Sequence, residues 1–180
     1  MSLEAEQAKE LQKSLLHQLF TDTPLQAYAI LDGASNPALL DHLYAEQRPE
    51  FACLYRGELE PDIAECAPYL VKLEVNSVFT QWITGNGWGD HWGIFALADC
   101  DFKTLHRHLR TLNMVYDPES NKSLLFRYYD PRVLSVFLPS CNPEQLTEFY
   151  GPIKAFFAET GSGQLASFYQ DKSQELILSV

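Results

Sequence analysis

Residues 126–134 read Phe-Arg-Tyr-Tyr-Asp-Pro-Arg-Val-Leu, and this run obliges the backbone to change character within one residue. The bulky aromatics Phe126, Tyr128 and Tyr129 suit an extended strand over 124–129. Asp130 offers a side-chain oxygen to the first free amides of a helix. Pro131 then takes the first helical position, where no N–H is needed. Arg127 and Arg132 flank the corner. The same grammar recurs at Asn36-Pro37 and at Asn142-Pro143-Glu144-Gln145, where Gln145 completes a capping box. A chain that alternates strands with capped helices in this way builds layers of helix on sheet.

The apolar spacing agrees. Leu11, Leu15, Leu16 and Leu19 recur at helical intervals within 3–20, predicting an amphipathic helix that ends over 21–24. Residues 27–31 predict a buried strand closed by Asp32-Gly33. A helix with Leu39, Leu40, Leu43 and Tyr44 on its apolar face follows Asn36-Pro37. Residues 51–55 predict a strand, the acidic stretch 58–65 a loop, and 69–75, with Lys72 and Glu74 alternating, a half-exposed strand. A short helix over 77–84 leads to a loop of Gly85, Gly87 and Gly89 around Trp88, then a strand over 92–97. Asp101 caps a helix running from Phe102 to about Tyr116, and 117–122 form a polar turn. Pro139 stops the helix that begins at Pro131, and residues 165–169 and 176–180 predict a C-terminal hairpin. The expected architecture is one α/β layered domain over 1–180, with a mixed β-sheet flanked by helices and a C-terminal β-hairpin.

Charge and cysteine usage narrow the function. Thirteen Lys and Arg stand against twenty-four Asp and Glu, a net charge of −11. Such a surface repels phosphate backbones and anionic bilayers, so neither nucleic acid nor a membrane is the expected partner. Cys53, Cys66, Cys100 and Cys141 are far apart, with no C-x-x-C pair for zinc or thiol exchange. The polar N-terminal stretch lacks the apolar core of a secretion signal, and no apolar run reaches a membrane span. A reducing, cytoplasmic setting is expected.

Catalytic signatures are sparse. There is no P-loop, no G-x-S-x-G elbow, and the 85–89 glycines do not fall into G-x-G-x-x-G. His106 and His108, two apart on a helix, diverge by about 200° and cannot share an ion. Asp32, Asp99 or Asp101, and Asp130 each follow an expected strand. If those strands ran parallel, the carboxylates would gather at one sheet edge and could hold Mg²⁺ for phosphoryl chemistry. The other reading of each is a cap or turn residue. Lys103, Arg107 and Arg110 form a basic helix stripe, either a solvated face or a dock for an acidic partner. Arg127 and Arg132 either clamp a partner's carboxylate or pair internally.

Taken in order, several segments resemble a known family. They are Tyr28-Ala29-Ile30-Leu31-Asp32-Gly33-Ala34, Leu54-Tyr55-Arg56-Gly57-Glu58, Ala67-Pro68-Tyr69-Leu70-Val71 and Trp92-Gly93-Ile94-Phe95. The helix with His108-Leu109-Arg110, the 126–134 run and Phe149-Tyr150-Gly151-Pro152 complete the set. Over about 25–155 the chain resembles the effector-chaperone, or adaptor, family of bacterial type VI secretion systems. The resemblance implies a non-enzymatic cytoplasmic protein that needs no cofactor and no metal. It implies two partners, a toxic effector and the spike protein (VgrG) onto which the effector is loaded.

An adaptor of this kind needs exposed aromatic and arginine anchors. The candidates for partner contact are Arg127, Tyr128, Arg132, Arg110, Trp88 and Trp92, with Asp130, Pro131, Pro68 and Tyr69 as structural parts of the motifs. Two other readings stay open from the residues. One is a metal-dependent hydrolase or phosphatase using the aspartates. The other is an immunity-type binding module, whose acidity would suit a basic toxin.

Overall fold

The computed structural model describes residues 3–21, 24–117 and 119–180. Asp22, Thr23 and Pro118, which fall in two of the expected turns, lie outside the described residues. Seven strands form one sheet in the order β2 (Phe51–Cys53), β3 (Pro68–Lys72), β1 (Gln26–Asp32), β4 (Gly93–Ala98), β7 (Ile153–Glu159), β8 (Leu165–Gln170) and β9 (Leu176–Ser179). Every ladder in it is antiparallel. Among the described residues, two further strands, β5 (Met114–Asp117) and β6 (Lys122–Leu125), pair with each other as a separate ribbon. The expected α/β layering and C-terminal hairpin are present, but the sheet expected to be mixed is antiparallel throughout its described strands.

Helices cover both faces of the sheet. Because side chains alternate along a strand, Tyr28 and Ile30 point to one face and Ala27, Ala29 and Leu31 to the other. The first set joins Leu105 and Leu109 of α5 (Phe102–Leu112), Leu134 and Leu138 of α6 (Pro131–Ser140) and Leu146 and Phe149 of α7 (Pro143–Tyr150). The second joins Leu15 and Leu19 of α1 (Leu3–Phe20), Leu39 and Leu43 of α2 (Leu39–Leu43) and Phe79 and Ile83 of α4 (Val78–Asn86). This double covering corrects the reading of 69–75 as half-exposed. Tyr69, Leu70 and Val71 are all buried, since β3 is an inner strand.

Local signals set the helix starts. Asp101, Asp130 and Asn142 each accept a backbone N–H from the first turn of the helix they precede, and Asn142 and Gln145 form the full capping box. Asn36 departs from this pattern. It ends a short 3-10 turn (Gly33–Ser35), its side chain is buried, and α2 begins only at Leu39. The acidic stretch holds a short helix, α3 (Pro61–Cys66). The expected long helix after Asp101 ends at Leu112, because Asn113 turns inward to donate from Nδ2 to the Leu54 carbonyl at 2.8 Å. The expected strand over 124–129 stops at Leu125, and 126–129 lead into α6 without strand pairing. No described helix is long and apolar enough to cross a membrane.

Candidate functional site

Three buried carboxylates, Asp32, Asp130 and Glu159, lie together at one end of the sheet. The register places them there. Asp32 ends β1 opposite Pro68, Leu31 faces Gly93, and Phe95 faces Phe157, so β7 reaches Glu159 at the same end. Each carboxylate has one basic partner: Arg127, Arg132 and His91 respectively. Arg132 also feels the charges of Glu159 and Asp32, which marks the three pairs as one cluster.

Asp32 turns the chain at the end of β1, an inner strand of the sheet. Its oxygens accept the Ala34 amide at 3.1 Å and the Ser35 hydroxyl at 2.9 Å, and Arg127 Nη2 donates to the same carboxylate. The Asp32 side chain is 1% exposed and that of Arg127 42%, so only one member of the pair is sealed from water. Burial works against the Arg127 charge, but the bond to Asp32 outweighs it and raises the guanidinium pKa. Gly33 follows because its backbone lies against α3. A Cβ there would stand 2.3 Å from the Glu65 carbonyl oxygen.

The 126–134 corner is a clasp. Asp130 Oδ1 accepts the Arg132 amide at 2.9 Å, and the Arg132 guanidinium closes a fork on both carboxylate oxygens at 3.0 and 2.7 Å. Burial pushes the Asp130 carboxyl up, but these bonds from Arg132 hold it below the usual carboxylate range. Pro131 is buried at the first turn of α6. Tyr128, expected to face a partner, is fully buried. Its ring packs on Phe126, Tyr129 and Phe149, and its hydroxyl donates to the Leu109 carbonyl at 3.1 Å. An aromatic that pins the corner to α5 has no surface left for a partner. Tyr129 is buried too, and burial, with Tyr55 beside it, drives its hydroxyl pKa upward.

Glu159 holds the glycine loop. It accepts the Gly89 and His91 amides and meets His91 Nδ1 at 2.6 Å. Trp88 donates to the Thr84 carbonyl at 2.8 Å, and Trp92 lies against Trp82 with ring centroids 5.4 Å apart. Both tryptophans are half-buried and line a small hollow with Leu31, Ile83 and Phe95.

The remaining candidates lie elsewhere. Arg110 is half-buried near the end of α5, with a buried Nε that has no hydrogen-bond partner among the described residues. Pro68 opens β3, and its carbonyl accepts the Leu54 amide at 2.9 Å. Tyr69 bonds the Ala64 carbonyl at 2.8 Å, and burial pushes its hydroxyl up to about 12. His106 and His108 bond separate carbonyls, those of Cys53 and Phe149.

The aspartate cluster required for Mg²⁺ is not assembled. Antiparallel pairing sets Gln26 opposite Ala98, so Asp99 and Asp101 follow β4 at the far end of the sheet from Asp32. Among the described residues no group of three or more His, Cys, Asp or Glu could hold a metal ion. Glu159 and the β5–β6 ribbon are not among the features expected from the sequence. The ribbon did leave a signal, since Met114-Val115-Tyr116 and Leu124-Leu125 flank a polar turn.

Neither the curated proteins nor the solved structures provide a match to the chain. A family model described as a domain of unknown function, DUF4123, matches residues 27–148, more than half of the 180 residues. The matched span takes in β1 to α6, with Asp32, Arg127, Asp130 and Arg132 inside it. The chain therefore belongs to the DUF4123 family.

Proposed function

We propose that this protein is a cytoplasmic adaptor of a type VI secretion system, which binds a toxic effector and helps load it onto the spike protein (VgrG). Two things support the reading: the family match over 27–148 and the resemblance of the ordered motifs to effector chaperones. The observation that carries it is how the most distinctive motif uses its charges. Arg127 and Arg132 neutralise Asp32 and Asp130, and Asp130 also caps α6. These groups brace a scaffold rather than face a substrate, which is what a holding protein requires of its central motif. The loading role needs no cofactor.

Co-purification tests the reading. The tagged chain, expressed in a bacterium carrying a type VI gene cluster, is expected to retain the spike protein and an effector. A folded chain that retains neither overturns the proposal.

A further inference from the structure

We propose that the β5–β6 ribbon and the basic face of α5 leading into it form one docking surface for an acidic, amphipathic segment of a partner protein. The inference rests on the binding role above and adds the surface and the chemistry of what it takes.

The ribbon is apolar where it meets water. Met114 pairs with Leu125 and Val115 with Leu124, so Met114, Tyr116 and Leu125 share one side and Val115 and Leu124 the other. Their exposures run from 41% for Val115 to 63% for Tyr116. A two-stranded ribbon outside the main sheet is marginal in water by itself, and a cluster of exposed apolar side chains marks an interaction site.

The ribbon is nevertheless held in shape. At its tip Asp117 accepts the Glu119 and Ser120 amides and the Ser120 hydroxyl, and Tyr116 bonds Asn121. At its base the Phe126 amide donates to the Asn113 carbonyl at 2.8 Å, and Asn113 is itself tied to Leu54. A surface ordered beforehand loses less entropy when a partner arrives.

Charge selects the occupant. Lys103, Arg107 and Arg110 recur at intervals of four and three, which places them along one side of α5. Arg110 stands one turn before Met114. Among the described residues none of the three is in an ion pair, although the chain has far more carboxylates than cations. The arginines of the 126–134 corner, by contrast, are both paired. A segment with apolar residues and carboxylates would cover the ribbon and neutralise α5 together. The net charge of −11 opposes an anionic bilayer and also a second copy of this chain.

The test uses the full chain and a labelled synthetic helix with Leu and Phe on one face and Glu on the other, read by fluorescence anisotropy. A Lys-for-Glu version of the helix is the control. The acidic helix is expected to bind, more tightly at low salt, and the Lys version not to bind. Lys103→Glu with Arg107→Glu, and separately Leu124→Asp, alter exposed residues. Each is expected to weaken binding by about tenfold or more with an unchanged melting curve. Equal binding of both helices, binding of neither, or unchanged affinity in both variants overturns the proposal. So does sedimentation of the chain with phosphatidylglycerol vesicles that Leu124→Asp abolishes, or a dimer that Leu124→Asp dissociates. None of these measurements needs spike or effector. Co-purification that retains both but ignores Leu124→Asp overturns the surface and leaves the adaptor reading standing. Co-purification that retains neither, with helix binding intact, overturns the adaptor reading alone.

Discussion

The Arg127 guanidinium bonds the carboxylate of Asp32 across 95 residues of sequence, tying the segment before α6 to the end of β1. One member of the pair is sealed and the other half-exposed, so the two halves are not equivalent. Losing the cation strands a buried carboxylate. Losing the carboxylate frees a guanidinium that can turn to water.

Arg127→Ala is therefore expected to cost about 3 kcal/mol, mostly the penalty of the unpaired buried charge. Asp32→Asn is expected to cost less, about 1 kcal/mol, because the Asn oxygen still accepts the Ala34 amide and its NH2 can donate to the Ser35 hydroxyl. Urea unfolding of both variants measures the difference. Equal costs would contradict the asymmetry.

Asp130 gives the fold a pH dependence of known sign. Its carboxyl lies below the usual range when folded, so the native state binds a proton less readily than the unfolded chain. The stabilisation is complete above the ordinary carboxylate pKa of about 3.9 and is lost as pH falls through the lower folded value. Asp130→Asn keeps a capping oxygen but loses the charge. Its melting deficit against the parent is expected at neutral pH and should shrink in acid. Asp130→Ala also loses the cap and should cost about 1 kcal/mol more. A deficit independent of pH would show that the charge pair contributes nothing.

Gly33→Ala is expected to destabilise by about 3 kcal/mol, since the new methyl would meet main-chain carbonyls of Glu65 and Ala67 rather than a movable side chain. Thermal melting checks it, and a neutral substitution would mean that α3 can move away freely.

Glu159→Ala should release the loop carrying Trp88 and Trp92. Hydrogen exchange at the Gly89 and His91 amides is expected to accelerate by about tenfold or more, since both donate to this carboxylate. Unchanged exchange would show that the loop is held by its tryptophans alone.

What could be read from sequence was local. The caps at Asp101, Asp130 and Asn142 lie beside the amides they serve, so their residue types announce them. Asn36-Pro37 carries the same letters, yet Asn36 is buried and α2 starts later, because packing of the preceding turn decides that position. Leu109, Leu112 and Tyr116 continue a helical period, which concealed the break at Asn113 and with it the ribbon. Lys72 and Glu74 imitated a solvent-facing strand, although β3 is covered on both faces up to its last residue. The aspartate cluster depended on parallel strands, and strand direction is a property of the whole sheet. The Asp32, Asp130 and Glu159 pairings likewise emerge only from the register that brings distant segments to one end.

We propose that this chain works by holding an effector and a spike protein together. Size-exclusion chromatography with light scattering tests this on the purified chain mixed with the spike protein and an effector of a type VI secretion system. One co-eluting complex whose mass includes all three is expected. Separate elution of three folded proteins would contradict it.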